Sequence, residues 1–144
     1  MSHQYCTFVL DGHLFGVPVS SVQEVLKPQA LTHVPLAPAE VAGLINLRGQ
    51  IVTTLELRNR LGLPRRDPGS PSVNVVVRTG DGGTVSLVVD EIGDVLEPDE
   101  DTFETPPETV PARIRALVTG VCKLQEHLML ALDTERAVSV ESAA

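Results

Sequence analysis

The sequence predicts a mainly β protein of two β-rich halves, with helix confined to a few short stretches. Three observations lead there. Apolar residues fall in runs of about five to seven separated by Gly, Pro, Asp or Asn, which is strand length punctuated by turn chemistry. The 42% hydrophobic content includes three Phe, one Tyr and no Trp, so the core is aliphatic and rich in Val, a strand-favouring residue. Between residues 64 and 72 three prolines, one glycine and two serines interrupt the pattern, and apolar runs resume beyond them. Many short strands at close spacing favour barrels over one flat sheet, because closure removes exposed edges. With 144 residues, the chain reads as a single domain, 1–144, with an approximate lobe boundary in the loop 64–72.

Taken in order, Tyr5–Leu10 and His13–Pro18 are strands joined at Asp11-Gly12, a dipeptide that accepts positive φ at both positions and closes a two-residue hairpin. Ser20 or Ser21 caps a short helix running to Leu26, in which Val22, Val25 and Leu26 recur at three- and four-residue spacing and Pro28 supplies the stop. Glu24 lies off that apolar stripe. Pro35 and Pro38 bracket an irregular crossing into the stretch 41–63, VAGLINLRGQIVTTLELRNRLGL. There Gly43–Leu47 and Ile51–Leu57 are strands about a three-residue loop, Arg48-Gly49-Gln50. The two-residue period puts Ile51, Thr53, Leu55 and Leu57 on an inward face, and Leu57–Leu61 is one helical turn ended by Gly62. In the second half Val73–Arg78, Thr84–Val89 and Ile92–Leu96 form another meander through the glycine-rich turn 80–83. Glu97–Pro111, with four prolines and six acids, is a long connection. Strands at Ala116–Lys123 and Leu128–Leu132 flank Gln125-Glu126, and Thr134–Val140 is a closing helix.

Arg48 is the residue of most chemical interest. It places a planar, permanently charged fork on a tight turn pinned by apolar strands, a presentation suited to gripping a carboxylate. Glu24 offers one off its apolar stripe, and the chain between them is long enough to fold back; a direct contact tying the first helix to the central hairpin is the expectation, which rests on the motif positions given below, and the alternative is that each residue separately meets a charged group on a partner.

Composition narrows the function. A net charge of -8 argues against phosphate backbones as partners, which need clustered Lys and Arg. Five of the eleven basic residues lie between Arg48 and Arg66, whereas residues 80–112 hold ten acids and no base, a solvated loop or a docking surface for a basic partner. No charged-then-apolar leader and no run of about 20 apolar residues is visible, so a cytoplasmic location without membrane insertion is expected. Cys6 and Cys122 read as reduced, buried small hydrophobes. The histidines at 3, 13, 33 and 127 have no metal-ligand spacing, the 80–83 turn precedes a strand and lacks the lysine of a phosphate loop, and no nucleophile sits beside a base. The expectation is no enzyme, no cofactor and no metal.

The 41–63 stretch resembles the signature of the CheW-like domains: Gly43, Asn46 to Gly49, Glu56-Leu57-Arg58 and Leu61-Gly62-Leu63 stand in the family's order. The likeness extends from Phe8 to about Ala137 through Val22 to Val25, Leu87 to Asp90, Gly93 to Leu96, Gly120-Val121 and Leu130 to Asp133. Thr53 and Glu56 depart from it where the family usually has proline and aspartate. The resemblance implies two SH3-like five-stranded β-barrel lobes. It also implies an adaptor that couples the cytoplasmic tip of a chemoreceptor, a helical hairpin, to the regulatory domain of a CheA-type histidine kinase. Such an adaptor is a monomer when free and part of a larger array when bound. On the family pattern the receptor groove lies between the lobes, which implies a receptor- or kinase-binding set of Val19, Val22, Glu24, Val25, Arg48, Val85, Leu87 and Val95. The alternative is a β-barrel binding module for a small ligand or another protein outside chemosensing.

Overall fold

The computed structural model describes residues 4–125 and 127–139, so His3, Glu126 and Val140 lie outside the described residues. Two sheets divide the strands. The first contains β1 (Tyr5–Leu10), β2 (His13–Pro18), β8 (Glu91–Leu96), β9 (Phe103–Glu104), β10 (Val118–Lys123) and β11 (Leu128–Leu132), in the order β8-β1-β2-β11-β10-β9. The second contains β3 (Val22–Leu26), β4 (Val41–Leu47), β5 (Gln50–Glu56), β6 (Val73–Arg78) and β7 (Thr84–Val89), in the order β3-β6-β7-β5-β4. Each sheet is antiparallel except at one junction, β11 with β2 and β5 with β7. The short helices are α1 (Leu57–Arg60), α2 (Ala112–Arg115) and α3 (Thr134–Val138), with single 3-10 turns at Val19–Ser21 and Glu100–Thr102.

The mainly β expectation is met, but the expected pair of closed five-stranded barrels is corrected: one sheet has six strands, and no backbone ladder among the described residues joins the end strands of either sheet. The loop 64–72 connects α1 to β6, so it lies within the run of the second sheet; the chain changes sheet between β2 and β3 and again between β7 and β8.

The first hairpin forms as its sequence dictates. Asp11 and Gly12 take φ of 48° and 79°, Leu10 pairs with His13, and Phe8 opposite Phe15 stacks with it at a ring separation of 6.1 Å. Phe8, Leu10, Phe15 and Val17 join Leu55, Leu57, Val75, Val77, Leu87 and Val89 in one core, so both sheets share it. β6 is apolar on both faces because Val76, between Val75 and Val77, points into a second small cluster with Ile45, Leu47 and Val52, against which Leu26 packs. Strands from both ends of the second sheet meet in that cluster, so the sheet curls.

Several local expectations are corrected. Residues 22–26 are a strand, because a bulge between Val22 and Glu24 lets a three- and four-residue apolar spacing fit a ladder against β6, and the valines there favour extended backbone. Along the expected strand Ile51–Leu57 the inward face holds only at its end: Leu55 on β5 and Leu57, which opens α1, are buried, whereas Ile51 is 63% exposed and Val52 and Thr54 are buried on the other side. β8 does not extend the β6–β7 hairpin but pairs with β1 in the other sheet. Part of the long connection 97–111 adds β9 to β10, and Ala116 closes the single turn of α2 that buries Ile114. α1 and its termination at Gly62 (φ 74°) appear as predicted, and α3 is capped by the Asp133 side chain accepting from the Arg136 amide. Cys6 and Cys122 are buried free thiols.

Candidate functional site: an exposed ionic clasp and an ionic joint between sheets

The β4–β5 turn is two residues long, not three. Leu47 pairs with Gln50, and Arg48 and Gly49 both take positive φ, 52° and 86°. Those are the left-handed conformations of a type I′ turn, and Asn46 reinforces it by accepting from the Gly49 amide at 2.8 Å. Fixed there, Arg48 Nη1 donates to Glu24 Oε1 at 3.0 Å and Nη2 donates to Oε2, a bidentate fork. Glu24 sits on β3, at the opposite end of the sheet from β4, so a side-chain clasp bridges the two edges that no ladder joins. The hydrogen bond from Arg48 holds the Glu24 carboxyl below its usual range, and the same bond raises Arg48. Arg48 remains 67% exposed, so the clasp faces solvent.

The remaining predicted residues divide by row. Val22 pairs with Val77, which pairs with Val85; Val25 pairs with Val75, which pairs with Leu87. Val19, Val22 and Val85 are partly buried against the shared core, and Leu87 is wholly inside it, with no surface to offer a partner. Val25 and Val95 are 43% and 57% exposed, but Val95 lies on β8 in the other sheet. The structure therefore brings Glu24 and Arg48 together and leaves Val25 as the exposed apolar neighbour on the same strand as Glu24.

A second ionic site went unpredicted. Asp90 stands where the chain leaves β7 for the other sheet, and its carboxylate accepts from Arg58 Nε at 2.9 Å, from Arg66 Nη2 at 2.9 Å and from the Asp11 amide at 2.9 Å. Arg58 also donates to the Pro64 carbonyl, and Arg66 Nη1 reaches Glu56 Oε2 at 3.0 Å. These side chains are 12–20% exposed. Burial pushes Asp90 up, but the hydrogen bonds from Arg58, Asp11 and Arg66 and the Arg58 charge outweigh it and hold the carboxyl at about 2. Burial pushes Glu56 above the usual carboxylate range, and Arg66 offsets this only in part. Glu56 Oε1 is buried without a hydrogen-bond partner among the described residues. The joint thus ties the first hairpin, α1 and the 64–66 segment to the crossing between sheets. The signal for it in the sequence was limited to the basic residues concentrated between 48 and 66 and an acid ending a buried strand; neither names a pair.

Among the described residues no group of three or more His, Cys, Asp or Glu is arranged to hold a metal ion, and no helix is long and apolar enough to cross a membrane.

The comparisons with known proteins agree with one another. The chain is 28% identical to the chemotaxis protein CheW of Bacillus subtilis over 136 residues, covering 94% of this chain and 86% of that one. It is 26% identical to the chemotaxis protein CheW of Klebsiella aerogenes over 144 residues, covering 100% and 86%. The crystal structure of the scaffolding protein TtCheW from Thermoanaerobacter tengcongensis superposes with a TM-score of 0.86 at 29% identity, covering 98% of this chain and 95% of that one. A family profile described as the CheW-like domain matches residues 4–142, and the chain belongs to the CheW-like family.

Proposed function

We propose that the chain is a cytoplasmic, non-catalytic chemosensory adaptor that couples the helical tip of a chemoreceptor to the regulatory domain of a CheA-type histidine kinase. The observation that carries this reading is the extent of the family match, residues 4–142, alongside relatives that are themselves chemotaxis and scaffolding proteins. An adaptor works by holding two partners in a fixed relation. The Glu24–Arg48 clasp fits such a role, because it fixes a sheet edge while keeping its charges at the surface. Glu24, Arg48 and the exposed Val25 form the partner-facing edge, Val19, Val22 and Val85 support it from the core side, Val95 contributes from the other sheet, and Leu87 acts from within as packing.

Reconstitution tests this. Purified chain is expected to bind a receptor hairpin and the kinase regulatory domain, and to change the kinase's phosphorylation rate only when receptor and kinase are both present. Val25→Glu is expected to leave the unfolding midpoint near wild type and to weaken receptor binding, since helix-in-groove recognition rests on apolar anchors. Failure to bind either protein, or turnover of ATP by the chain alone, overturns the reading.

A further inference from the structure

The helices α1, α2 and α3 have four, four and five residues, too few to persist alone in water, and each leaves carbonyls at its C-terminal end without an intrahelical donor. Each of those ends is met by an arginine from another of the three. Arg113 of α2 donates from Nη2 to the Asn59 carbonyl at 3.0 Å and from Nε to the Arg60 carbonyl at 3.3 Å, where α1 ends. Arg60 of α1 donates from Nη2 to the Arg136 and Ser139 carbonyls at 2.9 and 3.1 Å and from Nε to the Ala137 carbonyl at 3.2 Å, where α3 ends. Arg136 of α3 donates from Nη1 to the carbonyl of Ala116, the residue that closes α2, at 3.4 Å. The caps run from α2 to α1, from α1 to α3 and from α3 back to α2, a closed ring. A guanidinium suits such a place both as a forked donor and as a cation facing the negative end of the helix dipole.

The ring crosses between the sheets. α1 continues β5 of the second sheet, whereas α2 precedes β10 and α3 follows β11 in the first. Leu57 and Leu61 from α1, Ile114 from α2 and Ala137 from α3 all enter the shared core. Gly62 leaves space for the Arg113 stem, since a Cβ on it would stand 2.7 Å from Arg113 Cδ. Glu135 on α3 accepts from the Gly80 amide in the β6–β7 turn, a second contact from α3 to the chain of the second sheet. The return link is the weakest of the three: it is the longest, the Arg136 side chain is 63% exposed, and the Asp133 amide, donating to the Leu117 carbonyl at 2.7 Å, already ties the start of α3 to the end of α2. Because no helical turn is stable by itself and each carries the cap of another, opening one uncaps the next. We infer that α1, α2 and α3 open and close as one cooperative unit, held by this ring of arginines, through which a disturbance on one sheet reaches the other.

Native-state hydrogen exchange against denaturant tests this, read at the Leu61, Ala116 and Ala137 amides, which donate to Leu57, Ala112 and Asp133 within the three turns. In the wild-type chain the three probes are expected to share one opening free energy and one denaturant dependence, both below those of the β6 and β7 amides. Arg60→Met keeps an apolar stem and removes donors that reach α3 alone. It is expected to speed exchange roughly tenfold or more at Ala116 in α2 as well as at Ala137. Arg113→Met, whose lost bonds end on α1, is expected to do the same at Ala137. Arg136→Met is expected to shift all three probes together by a smaller factor. Where Arg60→Met fails to fold, Arg60→Lys is read in its place and is expected to give a smaller shift of the same pattern; the wild-type measurement needs no substitution. Three separate opening energies in the wild-type chain, or probes that exchange only with β6 and β7, overturn the inference. Acceleration confined to Ala137 in Arg60→Met and to Leu61 in Arg113→Met makes each arginine a local cap and overturns it too.

Discussion

The two ionic sites use the same chemistry, arginine forks on carboxylates, and differ at the arginines: Arg48 is 67% exposed against 14% and 12% for Arg58 and Arg66, while Glu24 at 24% is nearly as covered as Asp90 at 18%. At the tip of β4–β5, Arg48 and Glu24 meet at the surface, where water screens the pair and competes for every hydrogen bond. At the crossing between sheets, Asp90 takes two guanidinium groups and a backbone amide with its side chain 18% exposed, so each partner lost leaves a desolvated charge behind. The difference teaches that what an ion pair adds to folding follows its burial more than its geometry: the fork at the surface can add little, and the crowded one holds the sheets together.

The largest effect is expected where that contrast is sharpest. Asp90→Ala is expected to destabilise the chain by about 2 to 4 kcal/mol in denaturant unfolding, because Arg58 and Arg66 are left facing each other and the Asp11 amide loses its acceptor. Arg58→Ala combined with Asp90→Ala is expected to cost less than the sum of the two single changes. Strict additivity breaks the claim that the site acts as one unit.

A smaller effect follows from acid titration. The Asp90 carboxyl lies at about 2 in the folded chain against an ordinary 3.8, so its stabilisation is complete above pH 3.8 and is lost as pH falls through 2. With screening allowed for, that contribution is about 1 to 2 kcal/mol. Glu56 has the opposite sign: its carboxyl is raised, its charge is a cost at neutral pH, and acidification through its folded value relieves that cost. Stability measured against pH is therefore expected to hold or rise gently on acidification before it falls steeply below 3.8. Asp90→Asn removes the steep limb, and a limb that persists unchanged in that variant places the acid-sensitive group elsewhere.

The smallest effect on unfolding belongs to the clasp. Glu24→Gln and Arg48→Gln, singly and together, are expected to move the unfolding midpoint little and to show coupling that fades with added salt. Their effect is expected in partner binding. Coupling in the free chain as large as that between Asp90 and Arg58 would erase the distinction between the two sites.

The sequence was a reliable guide wherever structure is local. The Asp11-Gly12 hairpin, the strands β6, β7 and β11, the turn of α1 ending at Gly62 and the class of the fold all follow from turn chemistry and short-range periodicity. The Glu24–Arg48 contact could be anticipated too, from the family motif whose positions both residues occupy and not from local pattern, although Glu24 proved to be on a strand. Only the tertiary structure decided which sheet each strand joins. Residues 22–26 have a spacing that fits a helix or a bulged strand, and pairing with β6 made the choice. β8 left its sequence neighbour for β1, and Ile51 lay beyond the core that buries Leu55 on the same face. The Asp90 joint was invisible for the same reason: the contacts its carboxylates make span 10 to 79 residues of sequence, and a carboxylate selects its partners by where the backbone crosses, which no local pattern encodes.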